Sequence, residues 1–349
     1  MEGWCVTGRQ PNTRPGRRQA RTDLARFLLK YTSVHDHRHL RVVDPSERLP
    51  VDGSAALAWT PESKTPQQLD EEAMADAARE LGGEVDLPEY ADSLLAYHRS
   101  HVETLREIIG ELPLSRGERV VDVATGDGTY ALLLAERGAD VVGVDISPSY
   151  IAFARARAAG RGVSLNVREG DAKRLPFPDD SLDGAFSAQS LYSIPDAPAV
   201  LAEMKRVVRP GGWVGVMEND SLHHVVVPWP PRLELELGRA HYQALDAKSS
   251  DVQNFYIGRR LISVMHDAGF VDVHEQSFAA QRSAPLSADE WLFLSHHLTA
   301  LVKLAAPHLS DNDREEANAL VTEGDPDCLL EGEDFSATIL DLLVHARVE

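Results

Sequence analysis

An open α/β sheet, mostly parallel and with helices on both faces, is the fold this sequence predicts. Three observations predict it. Residues 119–147, RVVDVATGDGTYALLLAERGADVVGVDIS, read strand, glycine turn, helix, strand. Beyond them, short apolar strands alternate with helical stretches as far as residue 278, the pattern of repeated βα units. The last fifteen residues hold an apolar run, ILDLLVHARV, that suits a closing strand.

Taken in order, residues 1–50 form a basic, proline-dotted segment. It lacks the apolar core that a secretory signal needs. Residues 23–31 suit a short amphipathic helix. His35, His37 and His39 alternate, but read as a solvated polar run, and no metal site is expected. Residues 51–85 are polar and acidic, with a helical stretch over 67–81. Residues 87–112 read as a lead-in helix, because Tyr90, Leu94, Leu95, Tyr97, His98, His101, Val102, Leu105, Ile108 and Ile109 keep to a helical stripe.

Val120, Val121 and Val123 are β-branched residues of a buried parallel strand. Residues 130–137 form a helix that Gly138 stops. Residues 141–144 are the second strand, and Asp145 stands at its carboxyl end. Ser147 and Pro148 open the next helix as N-cap and first residue. Strands follow at 163–168, 182–187 and 213–217, with a helix at 195–208. Residues 221–231 are a loop with His223, His224, Trp229 and three prolines. Helices are expected at 233–247, 256–268, 287–304 and 311–321, and a sixth strand at 270–278.

The turn carries the chemistry. Gly126 and Gly128 let a ligand press on backbone with no Cβ in the way. The helix behind them points amides and a partial positive charge at that ligand. Asp145 follows the first glycine by the interval that suits a ribose-binding acid, at the strand end where open α/β sheets bind ligands. A nucleoside-bearing small molecule is therefore expected. A nicotinamide dinucleotide formally fits Gly126, Gly128 and Ala131. Asp122 argues against it, because a carboxylate before the turn repels a diphosphate and welcomes a cationic amino-acid group. Asp171, ending the third strand, can accept a hydrogen bond from an adenine amino group.

The order DVATGDG, GVDIS, EGDAKRLPFPDDSLDGAFS, VVRPGG resembles the class I S-adenosylmethionine-dependent methyltransferases. Within them it is closest to the ubiquinone- and menaquinone-biosynthesis-like group, which includes many natural-product enzymes. The resemblance covers roughly residues 90–277 and departs at Ala124, where the family usually has glycine. It implies a Rossmann-like, seven-stranded, mostly parallel sheet with a helical lid and an N-terminal extension. It divides the chain into an extension (1–85), a core with its lead-in helix (86–279), a lid (280–333) and a closing strand (334–349). S-adenosylmethionine is the implied cofactor. By the resemblance, Ala124, Gly126 and Gly128 line its methionine end and Asp122 orients its amino group. Asp145 holds the ribose, Ile146 packs on the adenine, and Asp171 with Ala172 meets the adenine edge. Ser187, Ala188 and Gln189 lie beside the sulfonium. Tyr90, Tyr97 and His101 of the lead-in helix are candidates to touch the methionine carboxylate or the substrate.

Methyl transfer from a sulfonium needs alignment and a dry site. A hydroxyl or amine acceptor also needs a base, usually histidine. His223 and His224 are the candidates, with Tyr192, Glu218 and Asp220 near them in sequence. The expected activity is methylation of oxygen, nitrogen or carbon in a small molecule, a secondary metabolite by the resemblance. The alternatives are a noncatalytic or repurposed cofactor-binding protein, cyclase-like, and a nicotinamide-dependent oxidoreductase.

The 349-residue chain is large enough for a full core and an accessory layer. Its net charge of −20 disfavours nucleic acid as a substrate. No run of eighteen apolar residues suggests a membrane span. Cys5 and Cys328, the two cysteines, form neither a disulfide framework nor a metal spacing, which suits a reducing cytoplasm. An ordered N-terminal arm would favour a homodimer.

Overall fold

The computed structural model describes residues 64–220, 224–248 and 255–349, together with Leu40 and Arg41. The 23–31 segment, the histidines at 35, 37 and 39, and His223 lie outside the described residues.

Helix α1 (Pro66–Leu81) starts at Thr65, whose side chain accepts from Gln68 N while Gln68 bonds back, and it ends at Gly82 in the left-handed region. Helix α2 (Ala91–Gly110) is the lead-in helix. Strand β1 (Arg119–Val123), helix α3 (Thr129–Glu136) and strand β2 (Asp140–Asp145) follow as the sequence predicts. Next come α4 (Pro148–Gly160), β3 (Asn166–Glu169), β4 (Leu182–Ala188), α5 (Ala197–Val207) and β5 (Val208–Asn219). The remainder is β6 (Val225–Val227), α6 (Pro231–Lys248), α7 (Leu261–Asp267), β7 (Val271–Ser283), α8 (Ala288–Ala305), α9 (Asp311–Val321) and β8 (Ser336–Arg347).

The main sheet runs β3-β2-β1-β4-β5-β8-β7, with β6 pairing on β8. β1 to β5 are mutually parallel, with Val120 opposite Val141 and Val121 opposite Ala185. β8 inserts antiparallel between β5 and β7, and Gly215 faces His345. The strand order turns back between β1 and β4, the place where open α/β sheets bind ligands.

Alternation along each strand splits the core. Val120, Phe186 and Trp213 pack on one face with Leu105, Ile108 and Ile109 of α2. Val121, Val123 and Ala185 pack on the other with Val200, Leu201 and Met204 of α5. Gly184 is required by this packing, since a Cβ there would lie 2.3 Å from the Trp213 ring.

Several boundaries differ from the sequence reading. Residues 225–227, expected within a loop, pair with β8 as β6, and β7 runs on to Ser283 instead of ending at 278. The stretch expected as one helix over 256–268 is a 3-10 turn (Ile257–Arg260) followed by α7. α8 packs against α2 and α6 as well as α9.

Candidate active site

A cleft of about 750 Å³ opens at the carboxyl ends of β1, β2 and β4, between the sheet and α2 and α8. The turn after β1 forms its floor. Ala124, Gly126 and Gly128 have φ of 57°, 51° and 79°, all left-handed. Thr125 N donates to Val144 O, and Gly128 N donates back to Thr125 O. Left-handed backbone favours glycine, so alanine at 124 costs on the order of 1 kcal/mol; the family's glycine has its reason here.

Asp145 is 8% exposed. Its Oδ2 accepts from Gly126 N and its Oδ1 from Ser147 N, each at 2.9 Å. Two amides thus fix the carboxylate, and each oxygen keeps a lone pair for a ligand. Ile146 beside it is an apolar side chain 70% exposed in the cleft. Asp171 and Ala172 stand on the same wall, and Ala188 with Gln189 forms the wall at the end of β4.

Three expected residues are elsewhere. Ser187 is fully buried at the end of β4, off the cleft, its Oγ donating to Val123 O at 3.1 Å. Asp122 is buried beneath the floor, does not line the cleft, and accepts from Thr125 Oγ1 at 2.6 Å. Burial pushes its carboxyl up to about 7, against the Thr125 hydrogen bond. Gly128 is also off the wall. It caps α3, and a Cβ there would come within 3.0 Å of Ala154. Asp122 and Gly128 shape the turn from behind. Of the lead-in candidates, Tyr90 and Tyr97 line the cleft; His101 is buried away from it, stacked on Tyr97.

The sequence reading missed Asp127 and His98. Asp127 is buried, and its Oδ2 lies 2.8 Å from His98 Nδ1 and 3.2 Å from Arg157. Burial alone would raise its carboxyl, but the charges of His98 and Arg157 outweigh it and hold the group well below the usual range. The residue sits between the two glycines, and that neighbourhood was the available signal.

The upper part of the cleft is aromatic: Tyr97, Tyr192, Phe255 and Phe293 contribute to it, along with His224, His296 and His297. His224 Nδ1 lies 3.4 Å from His297 Nε2. Burial pushes His297 down to about 4, which leaves its ring neutral. Asn219 Nδ2 donates to Asp341 at 2.9 Å, as does Tyr97 OH at 3.1 Å. Among the lining residues described, Lys173 is the only lysine or arginine. Among the described residues no group of three or more His, Cys, Asp or Glu is placed to hold a metal ion, and no helix is long and apolar enough to cross a membrane.

Glu218 lies behind the wall, 1% exposed, accepting from Ser190 N and Leu191 N. Burial pushes its carboxyl up to about 8, against those two amides. The folded state therefore prefers the protonated acid, and its stability falls as pH rises from the unfolded value of about 4.3 towards 8. Glu218→Gln keeps the accepting oxygen and removes the ionisation. Thermal melts should show the variant gaining on the wild type at pH 8, with little difference in that gain near pH 5. A pH-independent difference would contradict the burial argument.

A family model described as a methyltransferase domain matches residues 121–216. An uncharacterized protein of Mycobacterium tuberculosis is 39% identical over 231 residues, 62% of this chain and 84% of that protein. The 2-phytyl-1,4-naphtoquinone methyltransferase of Synechococcus elongatus is 30% identical over 185 residues, 47% of this chain and 76% of its own length. The demethylmenaquinone methyltransferase of Thermus thermophilus is 43% identical over 103 residues, 29% of this chain and 47% of that enzyme. The matched domain begins in the strand before the glycine turn and ends in β5, so it spans the strands that frame the cleft. With the motif order and the inserted antiparallel strand, these matches place the chain in one family: it belongs to the class I S-adenosylmethionine-dependent methyltransferases of the quinone-biosynthesis type.

Proposed function

We propose that the cleft holds S-adenosylmethionine along its floor and a flat, largely apolar small-molecule acceptor beneath α8. The observation that carries this is the Asp145–Ile146 pair at the end of β2. A carboxylate fixed by two amides stands next to an apolar side chain left 70% exposed inside a cleft. That is what a ribose diol and the face of a purine require. Asp171 and Ala172 then meet the edge of the base, and Ala124, Gly126, Ala188 and Gln189 flank the sulfur. Asp122 and Gly128 act through the shape of the turn.

The residues present fit the cofactor. A buried ring nitrogen of His98, on the cleft wall, has no hydrogen-bond partner among the described residues, and no lysine or arginine lines the turn where a diphosphate would need one. When bound, S-adenosylmethionine supplies an electrophilic methyl group. The protein's own contribution is to align the acceptor and keep water out. Tyr97 and Phe293, with ring centroids 5.0 Å apart, offer an apolar wall for a planar ring. Lys173 as the one lysine or arginine among the described lining residues favours an uncharged acceptor. Quinone-type substrates in the names of relatives point the same way. A secondary metabolite acting through a phenolic or enolic oxygen, in a reducing cytoplasmic setting, completes the reading.

His224 takes the role of base. It lines the cleft, and the neutral His297 ring lies beside its Nδ1. His224→Ala should lower kcat by about 10²- to 10⁴-fold while the affinity for S-adenosylmethionine stays unchanged. Methyl-labelled cofactor with a panel of phenols and hydroquinones measures the first, and calorimetry the second. Undiminished turnover would remove His224 from proton transfer and favour a carbon acceptor. Absence of label transfer to any small molecule in a host metabolite extract would overturn the enzymatic reading of the acceptor chamber.

A further inference from the structure

We propose that His98 is the anchor for the carboxylate at the amino-acid end of the bound cofactor, with Asp127 and Arg157 holding the ring in position. The proposal rests on the cleft being the S-adenosylmethionine site.

His98 lies on α2 and is 4% exposed. Its Nδ1 is 2.8 Å from Asp127 Oδ2. Asp127 is ionised, so Nδ1 carries the proton and donates. The ring also meets Tyr130 edge-on at 5.3 Å. These contacts fix the direction of the ring. The other nitrogen, Nε2, has no partner among the described residues, although the side chain lines the cleft. A buried polar atom left without a partner costs about 1–3 kcal/mol. In a native site, such an atom marks the place of a ligand group.

The charge balance says which group. The cofactor carries a sulfonium, an ammonium and a carboxylate, and only the carboxylate seeks a donor or a cation. Lys173, the one lysine among the described lining residues, directly follows Asp171 and Ala172, the pair assigned above to the edge of the base. At the turn itself, Asp127 is already paired. Arg157 NH1 lies 3.2 Å from its Oδ2 and donates to its carbonyl at 2.7 Å. One buried anion thus faces two potential cations. With a proton on each ring nitrogen, His98 would serve Asp127 through Nδ1 and present Nε2–H to the cleft. A carboxylate completes that arrangement. A general base for the acceptor would use the same Asp-His pair, so the experiment must separate the two roles.

Calorimetric titration of the wild type, His98→Ala and His98→Gln with S-adenosylmethionine and with its decarboxylated analogue does so. The analogue keeps the sulfonium and the ammonium and lacks only the carboxylate. The wild type should bind the intact cofactor roughly 10- to 100-fold more tightly than the analogue, as a charge-assisted hydrogen bond implies. His98→Ala should lose that preference and leave the analogue's affinity unchanged. His98→Gln, which retains an N–H, should recover part of it. If the alanine variant does not fold, as circular dichroism will show, His98→Asn takes its place, being too short to reach. Equal weakening of both ligands, or unchanged binding with lost turnover, overturns the assignment; the latter makes His98 a base. A wild type that binds neither ligand overturns the cleft reading itself.

Discussion

Asp145→Ala is expected to weaken S-adenosylmethionine binding by roughly 10²-fold or more, measured by calorimetry on the purified protein. The carboxylate is held by Gly126 N and Ser147 N at 2.9 Å each, so it costs little ordering when a diol arrives. Hydrogen bonds to a charged group contribute about 1.5–3 kcal/mol. Losing two of them accounts for a factor of that size even if water replaces part of the interaction. Removal also frees the Gly126 amide and loosens the turn. Asp145→Asn should be milder, since one oxygen remains an acceptor. A binding constant within about threefold of the wild type would place the ribose elsewhere. Binding of a nicotinamide dinucleotide in place of S-adenosylmethionine would contradict the whole cleft assignment.

Asp70→Ala should be the most destabilising single substitution we name, by about 3–5 kcal/mol, the usual cost of stranding a buried charge. Asp70 lies on α1 and is 4% exposed. It accepts from Arg157 Nε at 2.9 Å, Arg161 at 2.8 Å and Arg99 at 3.0 Å. Arg157 is itself 3% exposed, and without Asp70 it keeps Asp127 Oδ2 at 3.2 Å while its Nε is left with no water to turn to. Urea denaturation at pH 7 measures the loss. The pH dependence is a second check. Burial raises the Asp70 carboxyl, but the charges of Arg157 and Arg161 outweigh it and hold the group below its ordinary value. The contribution is therefore complete above the unfolded value of about 3.9, and it fades as pH falls through the lower folded value. The gap between wild type and variant should stay constant from pH 7 to about pH 5 and narrow only in stronger acid. A gap under about 1 kcal/mol at pH 7 would show that the three arginines find other partners.

The same cluster joins four elements. Asp70 is on α1, Arg99 on α2, Arg157 on α4, and Arg99 continues to Asp289 on α8 at 2.7 Å. Helix α1 also buries Ala73 and Ala77 against Ala152 and Phe153 of α4. The helical stretch read from sequence over 67–81 of the N-terminal extension is therefore a structural helix of the fold, Pro66–Leu81.

What the sequence by itself determined was local: the β-branched runs, the Gly126–Gly128 turn, the N-cap at Ser147 and the acid at the end of β2. These are set by backbone sterics and by residues within one turn or one strand, so spacing alone reveals them. The mostly parallel sheet was legible for the same reason, since strands and helices alternate along the chain. What only the tertiary structure decided is which side chains face the cleft. Strand alternation allows either face, and only packing put Asp122 under the floor at 1% exposure while leaving Ile146 open at 70%. His98 and Asp127 lie 29 residues apart and meet at 2.8 Å. His224 and His297 lie 73 apart and meet at 3.4 Å. Such pairs follow from how α2 and α8 settle on the sheet, and no spacing in a single sequence records that.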